Sequence, residues 1–462
     1  MEFMGDQGRD VIILKDFWQN GNLFFIGPQT SIGNMYLGPW FYYLISPALL
    51  ISNFNPVGPA VFIALLNILT IYVLYFVGNK WFSKSVGLIS ALLFAISPVV
   101  IKYSNFIWNP NIMPLFSLLF IYFFFEGFNS KKFHYFLYAS LSFVMVINSH
   151  YLGLALLPLV GIYWLYSLIN FLRKKSKFLK PFLLNTFFAF IIFGLSLTPQ
   201  ILFDIKHNGQ NIKALTTFFT QRETTVNLKP YKAIPVVPLL FDQINTRLLV
   251  GKNETIGIII TILLAFGILI LLVKPKKQKF NFWVVLGWYL SGIIALALYK
   301  QHIYDHYFAF LFPVAFLFIA ILINKFKIIG IPILVLLVVF SLIENPLRYS
   351  PNYQLQHSRN LANSINQNLS QDDGKFNVTM LASYNDFRAQ APRYFINSSN
   401  LLSQEDYPSA KTLFVILDDP SKWKLGIDSD IWEINVFKQN SKYTSSSFTS
   451  SDGTQIVKLT KQ

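Results

Sequence analysis

The sequence contains no cysteine. That excludes a disulfide scaffold, thiol catalysis and thiolate metal sites. Charge is scarce too: 13% of residues are Asp, Glu, Lys or Arg, against roughly 25% in a soluble domain. Acids are rarest in the middle. Between Pro56 and Ile343 they are Glu126, Asp204, Glu223, Asp242, Glu254 and Asp305 and no others. A P-loop, a Rossmann glycine fingerprint and a Gly-x-Ser-x-Gly elbow are all missing, so direct use of a nucleotide donor has no support. Met1–Lys15 mixes both charges and lacks the apolar core of a signal peptide. No solenoid repeat runs through the chain, and no matched pair of broken helices marks a secondary transporter.

What is present is apolar surface. The 462 residues are 53% hydrophobic and 17% aromatic, with 47 Phe. Ten apolar runs read as membrane spans: Pro56–Val77, Ser85–Ile101, Ile112–Phe128, Phe133–Ser149, Tyr151–Leu172, Pro181–Gln200, Thr255–Val273, Phe282–Leu298, Tyr304–Ile323 and Ile328–Ile343. Their loops alternate. Asn79–Lys84, Asn129–Lys132, Arg173–Lys180, Lys274–Lys279 and Asn324–Lys327 are short and basic. Lys102–Asn111, His150, Asp204–Glu254, Tyr299–Asp305 and everything after Glu344 are mixed or acidic. The basic set is therefore cytoplasmic and both ends lie outside. The net charge of +16 follows from the same rule. A basic helix or an aromatic RNA-binding signature is lacking outside the membrane region, which excludes nucleic acid as a partner.

Met35–Phe54 is apolar and aromatic but interrupted by Pro39 and Pro47. It reads as kinked helices in the outer interface rather than a span. Residues 346–462 are soluble in composition. A helix over Ser358–Leu369 and strands over Lys375–Ala382, Thr412–Leu417 and Ile431–Phe437 predict a small α/β domain outside the membrane. Asn377-Val378-Thr379 and Asn397-Ser398-Ser399 match a glycosylation acceptor pattern, at a length where chance matches are common. The expected fold is an all-α polytopic membrane domain over residues 1–345 with an extracytoplasmic α/β domain behind it.

Four outer clusters carry groups fit for chemistry. In Gly5-Asp6-Gln7-Gly8-Arg9-Asp10 two carboxylates flank an arginine, ahead of the aromatic stretch Gly38-Pro39-Trp40-Phe41-Tyr42-Tyr43. A carboxylate there can take a proton from an attacking hydroxyl, and a guanidinium can hold phosphate oxygens through its planar fork. Read blandly, it is a solvated polar terminus. Lys102-Tyr103-Ser104-Asn105 through Pro110-Asn111 offers a cation, hydroxyls and amides, or simply a polar loop whose proline starts a helix. Asn148-Ser149-His150-Tyr151 is a polar pinch between two spans; its histidine is a functional candidate or part of a tight turn. Lys300-Gln301-His302-Ile303-Tyr304-Asp305-His306-Tyr307 sets two histidines four apart. A divalent metal is conceivable there, but no Glu-based zinc motif accompanies them, and substrate or phosphate contacts fit better.

Together these motifs resemble the polytopic C-type (GT-C) glycosyltransferases, including protein O-mannosyltransferases and the aminoarabinose transferases of lipid A. Asp6-Gln7-Gly8-Arg9 has the spacing of that family's Asp-Glu-x-Arg motif, and Gly38–Tyr43 is similar to its Pro-Pro-aromatic stretch. Ile96-Ser97-Pro98, Tyr103-Ser104, Pro110-Asn111 and His306-Tyr307 through Pro313 resemble its later outer loops. The resemblance covers about the first 320 residues and rests on order, spacing and membrane side rather than on one diagnostic motif.

The resemblance implies transfer of a sugar from a polyprenyl-phosphate carrier to a lipid, glycan or protein acceptor at the outer face of the plasma (inner) membrane. By it Asp6 is the general base or acceptor-orienting acid, and Arg9 binds donor phosphate; Asp10, His150 and Tyr307 are candidate substrate or phosphate contacts from the outer clusters. Gln7 replaces the usual Glu. Asn111 stands where relatives often carry a second Asp, and Leu37 where some carry a phosphate-binding Lys. The remaining phosphate ligands are therefore sought among Lys102, Arg222, Arg247, Lys300 and His306. The family also carries a span ahead of its acidic loop, which implies one upstream of Met1. Two other readings stay open: a lipid-linked glycan transporter, and a ligase or polymerase using a diphosphate-linked donor through Asp204–Glu254, with His207, Arg222 and Arg247.

Overall fold

The computed structural model describes residues 1–30, 34–220, 229–251, 253–273, 279–384, 386–396, 400–439 and 441–462. Eight of its helices are long and apolar enough to cross a membrane. Two shorter apolar helices, Lys84–Ile96 and Tyr135–Ser149, fall on predicted spans, so all ten apolar runs are helical. The chain is an integral membrane protein.

Burial sorts these helices into centre and rim. From Phe312 to Ile323 every residue of the helix Phe312–Lys325 is buried. A helix apolar all round has to be enclosed by others. By contrast, Leu157–Arg173, Leu179–Ser196 and Glu254–Val273 turn Ile162, Phe190 and Ile262 outward, the pattern of lipid-facing helices. At the predicted cytoplasmic end Lys80 meets Glu126 at 2.9 Å. That pairing explains how Glu126 tolerates burial beside the basic loops.

Prolines cut several runs where the sequence alone reads unbroken spans. The second run splits into Lys84–Ile96 and Pro98–Tyr103 at Pro98. The sixth splits into Leu179–Ser196 and Thr198–Lys206, with Pro199 in the first turn of the second piece. Trp40–Ile51 has only twelve residues, or roughly 18 Å of rise, too little to cross about 30 Å of hydrocarbon. Its Phe41, Tyr42, Ile45 and Leu49 are buried against the helices Gly5–Asn20 and Val57–Trp81.

Asp204–Glu254, predicted as one outer loop, is instead largely helical among its described residues. Gln210–Thr220 and Val236–Val250 are both α-helices. Ile244, Leu248, Leu249 and Val250 enter the membrane core, and Tyr289 donates to Asn245 at 2.6 Å. The polar residues of Val236–Val250 hid this helix from a hydropathy reading.

The C-terminal domain builds one sheet, ordered β1 (Phe376–Met380), β2 (Thr412–Leu417), β4 (Gln455–Lys461), β3 (Tyr443–Thr449). β1 and β2 run parallel, and the other pairs antiparallel. Along β2, Phe414 and Ile416 pack under the helix Gln354–Gln367, while Leu413 and Val415 pack under Trp432–Lys438. The predicted strand Ile431–Phe437 is thus a helix. Ile431, Ile434 and Phe437 recur every third residue, a helical face rather than a strand alternation.

This domain sits directly on the N-terminal helix. Gly8 permits the approach: a Cβ there would lie 2.5 Å from the backbone of Gln390 and Ala391. Around the seam Phe3 N donates to Gln354 Oε1 at 3.0 Å, and the Tyr394 hydroxyl donates to the Phe54 carbonyl at 2.6 Å.

Candidate active site

The helix Gly5–Asn20 puts Asp6, Arg9 and Asp10 on one face, since positions three and four apart are neighbours. Arg9 Nη1 donates to Asp6 Oδ1 at 2.9 Å; its Nε and Nη2 both donate to Asp10 Oδ1, at 3.0 and 2.8 Å. Tyr42 gives Asp10 Oδ1 a further hydroxyl at 2.8 Å, and the buried Oδ2 has no partner among the described residues. Burial raises the pKa of Asp10, with Arg9 pulling against it. On Arg9, burial is outweighed by Asp10, Tyr42 and Asp6, so the guanidinium stays charged. Asp10 is thus an anchor that aims Arg9. Asp6 is half exposed, with a side-chain exposure of 53%, and is the carboxylate open to a ligand.

Three cavities meet at this helix. One of about 570 Å³ runs toward the membrane helices and is lined by Asp6, Arg9, Leu154, Ala155, Leu215 and Leu298. A second, of about 460 Å³, opens toward the C-terminal domain and is polar, with Glu2, Asp6, Tyr384, Asp386, Arg388 and Glu433. Asp6, Arg9, Gln29 and Trp108 line both. The third, of about 990 Å³, shares Arg9, Gln29, Arg388 and Gln390 with the second. Burial pushes Asp386 up to about 6, against the amides of Gln390 and Ala391 that bond it.

The floor of the apolar chamber is aromatic. Trp108 packs on His306 with ring centroids 4.3 Å apart, and Tyr307 packs on His150 at 5.1 Å. Leu152 N donates to His150 Nδ1 at 3.1 Å, which leaves the ring proton on Nε2. Burial alone pushes His150 down to about 4, so near neutrality it is an uncharged donor, not a cation.

The other residues singled out in the sequence divide. His150, His306 and Tyr307 join Asp6 and Arg9 in the chamber wall. Asn111 does not. It is buried beneath the wall, where its Nδ2 donates to the Phe106 carbonyl and its own carbonyl accepts from Asn67. Its neighbours Asn109 and Pro110 line the chamber instead; Asn109 is held by a bond to the Ser149 carbonyl at 2.6 Å. Arg247 is engaged elsewhere, in a two-pronged pair with Asp305 at 2.9 and 2.6 Å. Lys102 is exposed outside the chamber wall, 5.5 Å from the Tyr103 ring centroid, and Lys300 is also exposed outside it. Arg222 and Asn397 lie outside the described residues.

Sequence reading placed Gln29 and Trp108 in its clusters but gave neither a role, and both line both chambers. It missed the Tyr42–Asp10 bond. A tryptophan or tyrosine in a chain this rich in aromatics carries no signal of its own. Nor does any set of three His, Asp or Glu converge as metal ligands among the described residues. His302 packs on Tyr304 and His306 on Trp108.

Residues 37–197 match the dolichyl-phosphate-mannose-protein mannosyltransferase family. That stretch includes His150 and the Trp108–Pro110 wall but not Asp6 or Arg9. No curated protein sequence matches the chain. Among solved structures, ArnT from Cupriavidus metallidurans bound to undecaprenyl phosphate is 12% identical, with a TM-score of 0.48 over 99% of this chain and 94% of that one. Its apo form is 11% identical, with a TM-score of 0.47 over 99% and 93%. Likenesses that slight carry no argument about function. The family match agrees with the resemblance read from the motifs, that of a GT-C type polytopic glycosyltransferase.

Proposed function

We propose that the chain is a membrane glycosyltransferase that moves a sugar from a polyprenyl-phosphate carrier to a lipid, glycan or protein acceptor at the outer face. The observation that carries this reading is the placement of Asp6 and Arg9 where an apolar chamber and a polar chamber meet. The apolar chamber suits the first isoprene units of a carrier lipid. The polar chamber suits a hydroxyl-bearing acceptor.

Asp6 Oδ1 already accepts from Arg9, and Oδ2 has no partner among the described residues. Oδ2 therefore takes the acceptor hydroxyl. As the acceptor oxygen bonds to the anomeric carbon, its proton passes to Asp6. The bond from that carbon to the phosphate oxygen breaks, and the phosphate leaves with the electron pair. Arg9, aimed by Asp10, meets the growing negative charge. His150 Nε2 adds an uncharged donor from the chamber wall.

A single phosphate fits better than a diphosphate. With Arg247 committed to Asp305, Arg9 is the one guanidinium lining the chamber among the described residues. The test is transfer from a labelled lipid donor by the purified chain in vesicles, with monophosphate- and diphosphate-linked sugars in competition. Product from the monophosphate donor alone is expected. Product from the diphosphate donor alone, or labelled lipid crossing the bilayer without transfer, would reject the reading.

A further inference from the structure

Beside the third cavity, with which it shares Lys15, Tyr394 and Ile396, lies a cleft of about 350 Å³ where three separate parts of the chain come together. Lys15 reaches it from the N-terminal helix and Arg359 from the helix Gln354–Gln367 of the C-terminal domain. Asn53–Pro56, the turn joining Trp40–Ile51 to the span Val57–Trp81, forms its base. It has two cations and no carboxylate in its wall. Among the described residues neither cation has an ion-pair partner. Each lies over an aromatic ring instead: Lys15 is 5.3 Å from the Tyr394 ring centroid, and Arg359 is 5.3 Å from that of Phe395. Arg359 Nη2 also donates to Asn55 Oδ1 at 3.1 Å.

Its depth in the membrane is fixed by the residues around it. Ile51, just before the turn, is 82% exposed, and Val57 and Val61, just after it, are 40% and 51% exposed. Aliphatic side chains so placed at the outer start of a span face acyl chains. The cleft therefore sits at head-group depth, directly above lipid-facing surface. The positive end of the helix Val57–Trp81 adds to the field of the two cations.

We propose that this cleft binds the phosphate of an anionic phospholipid, with Lys15 and Arg359 as its two charged ligands. A phosphate held there joins the N-terminal helix, the membrane turn and the C-terminal domain. The lipid then clamps the domain onto the helix that carries Asp6 and Arg9. This goes beyond the transfer reaction and stands whatever that reaction proves to be.

The full chain is placed in nanodiscs of phosphatidylcholine alone or mixed with phosphatidylglycerol, and retained lipid is measured by native mass spectrometry alongside thermal unfolding. Phosphatidylglycerol is expected to stay bound and to raise the unfolding temperature. Each of Lys15→Gln and Arg359→Gln should weaken that binding about fivefold, from the free energy of one cation at an anionic surface. Arg359→Lys should keep most of it, and Lys424→Gln, an exposed cation of the same domain, should change nothing. Equal loss from Lys424→Gln, equal retention of phosphatidylcholine, or stabilisation by inorganic phosphate in phosphatidylcholine discs would each overturn the proposal.

Discussion

At the residue scale the account rests on a division of labour between two neighbouring carboxylates. Asp10 is buried and Asp6 is half exposed, yet both hold the same guanidinium. Lysine at that position keeps the charge but cannot reach both carboxylates and a phosphate at once. Arg9→Lys is therefore expected to raise the KM for donor about 10- to 100-fold, the loss of one charged hydrogen bond. Its unfolding temperature should stay close to wild type, and initial-rate kinetics beside a melting curve check both. In the sequence only the resemblance told Asp6 from Asp10; the chemistry of the two side chains is the same, and Tyr42, whose hydroxyl bonds the buried Asp10, is 32 positions away. Nor does the sequence show that the Asn111 side chain is buried in packing, bonded to the Phe106 carbonyl, rather than lining the chamber.

At the element scale the N-terminal helix has to be gripped from both sides. Its membrane side packs on Trp40–Ile51, and its outer side meets the backbone of Gln390 and Ala391 across Gly8. Gly8→Val forces carbon into a gap already at backbone contact. Overpacking of this kind costs about 1–3 kcal/mol, and here the domain can yield by lifting away. Faster proteolysis between residues 344 and 354, with the membrane helices still intact, is the expected outcome. Proteolysis at the wild-type rate would show that the contact does not hold the domain. Spans were easy to read because apolar length is a local property. Val236–Val250 escaped because Asp242, Gln243, Asn245 and Arg247 dilute it, and only its contacts with the surrounding spans reveal its buried face. The strand misread at Ile431–Phe437 has the same origin, since the apolar Ile431, Ile434 and Phe437, at a spacing of three, serve a helix face equally well.

At the scale of the whole molecule, the C-terminal domain meets the membrane part through Leu355, Ala391 and Tyr394, and its own stability is expected to depend on pH. His357, on the helix Gln354–Gln367, donates to Asp418 through Nε2 and to Asp452 through Nδ1, both at 2.7 Å. Two acceptors require the doubly protonated ring. The bond to Asp418 raises the His357 pKa, burial opposes it, and Asp452 adds to the rise. For Asp452, burial is outweighed by bonds from Ser450 and His357, which bring it down to about 2. A histidine raised on folding contributes stability below its unfolded pKa and loses it as pH climbs through the folded value. The domain should therefore melt at a lower temperature as pH rises above neutrality, and His357→Gln should flatten that dependence. A variant with the same pH slope as wild type would remove His357 from the explanation. The apolar spans and the two-part architecture were readable from hydropathy and composition; the meeting of the two parts around Asp6 was not, because no local pattern records it. That meeting is the centre of the functional account. It is tested most directly by sugar transfer from a polyprenyl-phosphate donor in vesicles by wild type and Asp6→Asn, matched for unfolding temperature. The account predicts a loss of about 10²- to 10⁴-fold in the variant, the contribution of a general base, and transfer at the wild-type rate by Asp6→Asn would contradict it.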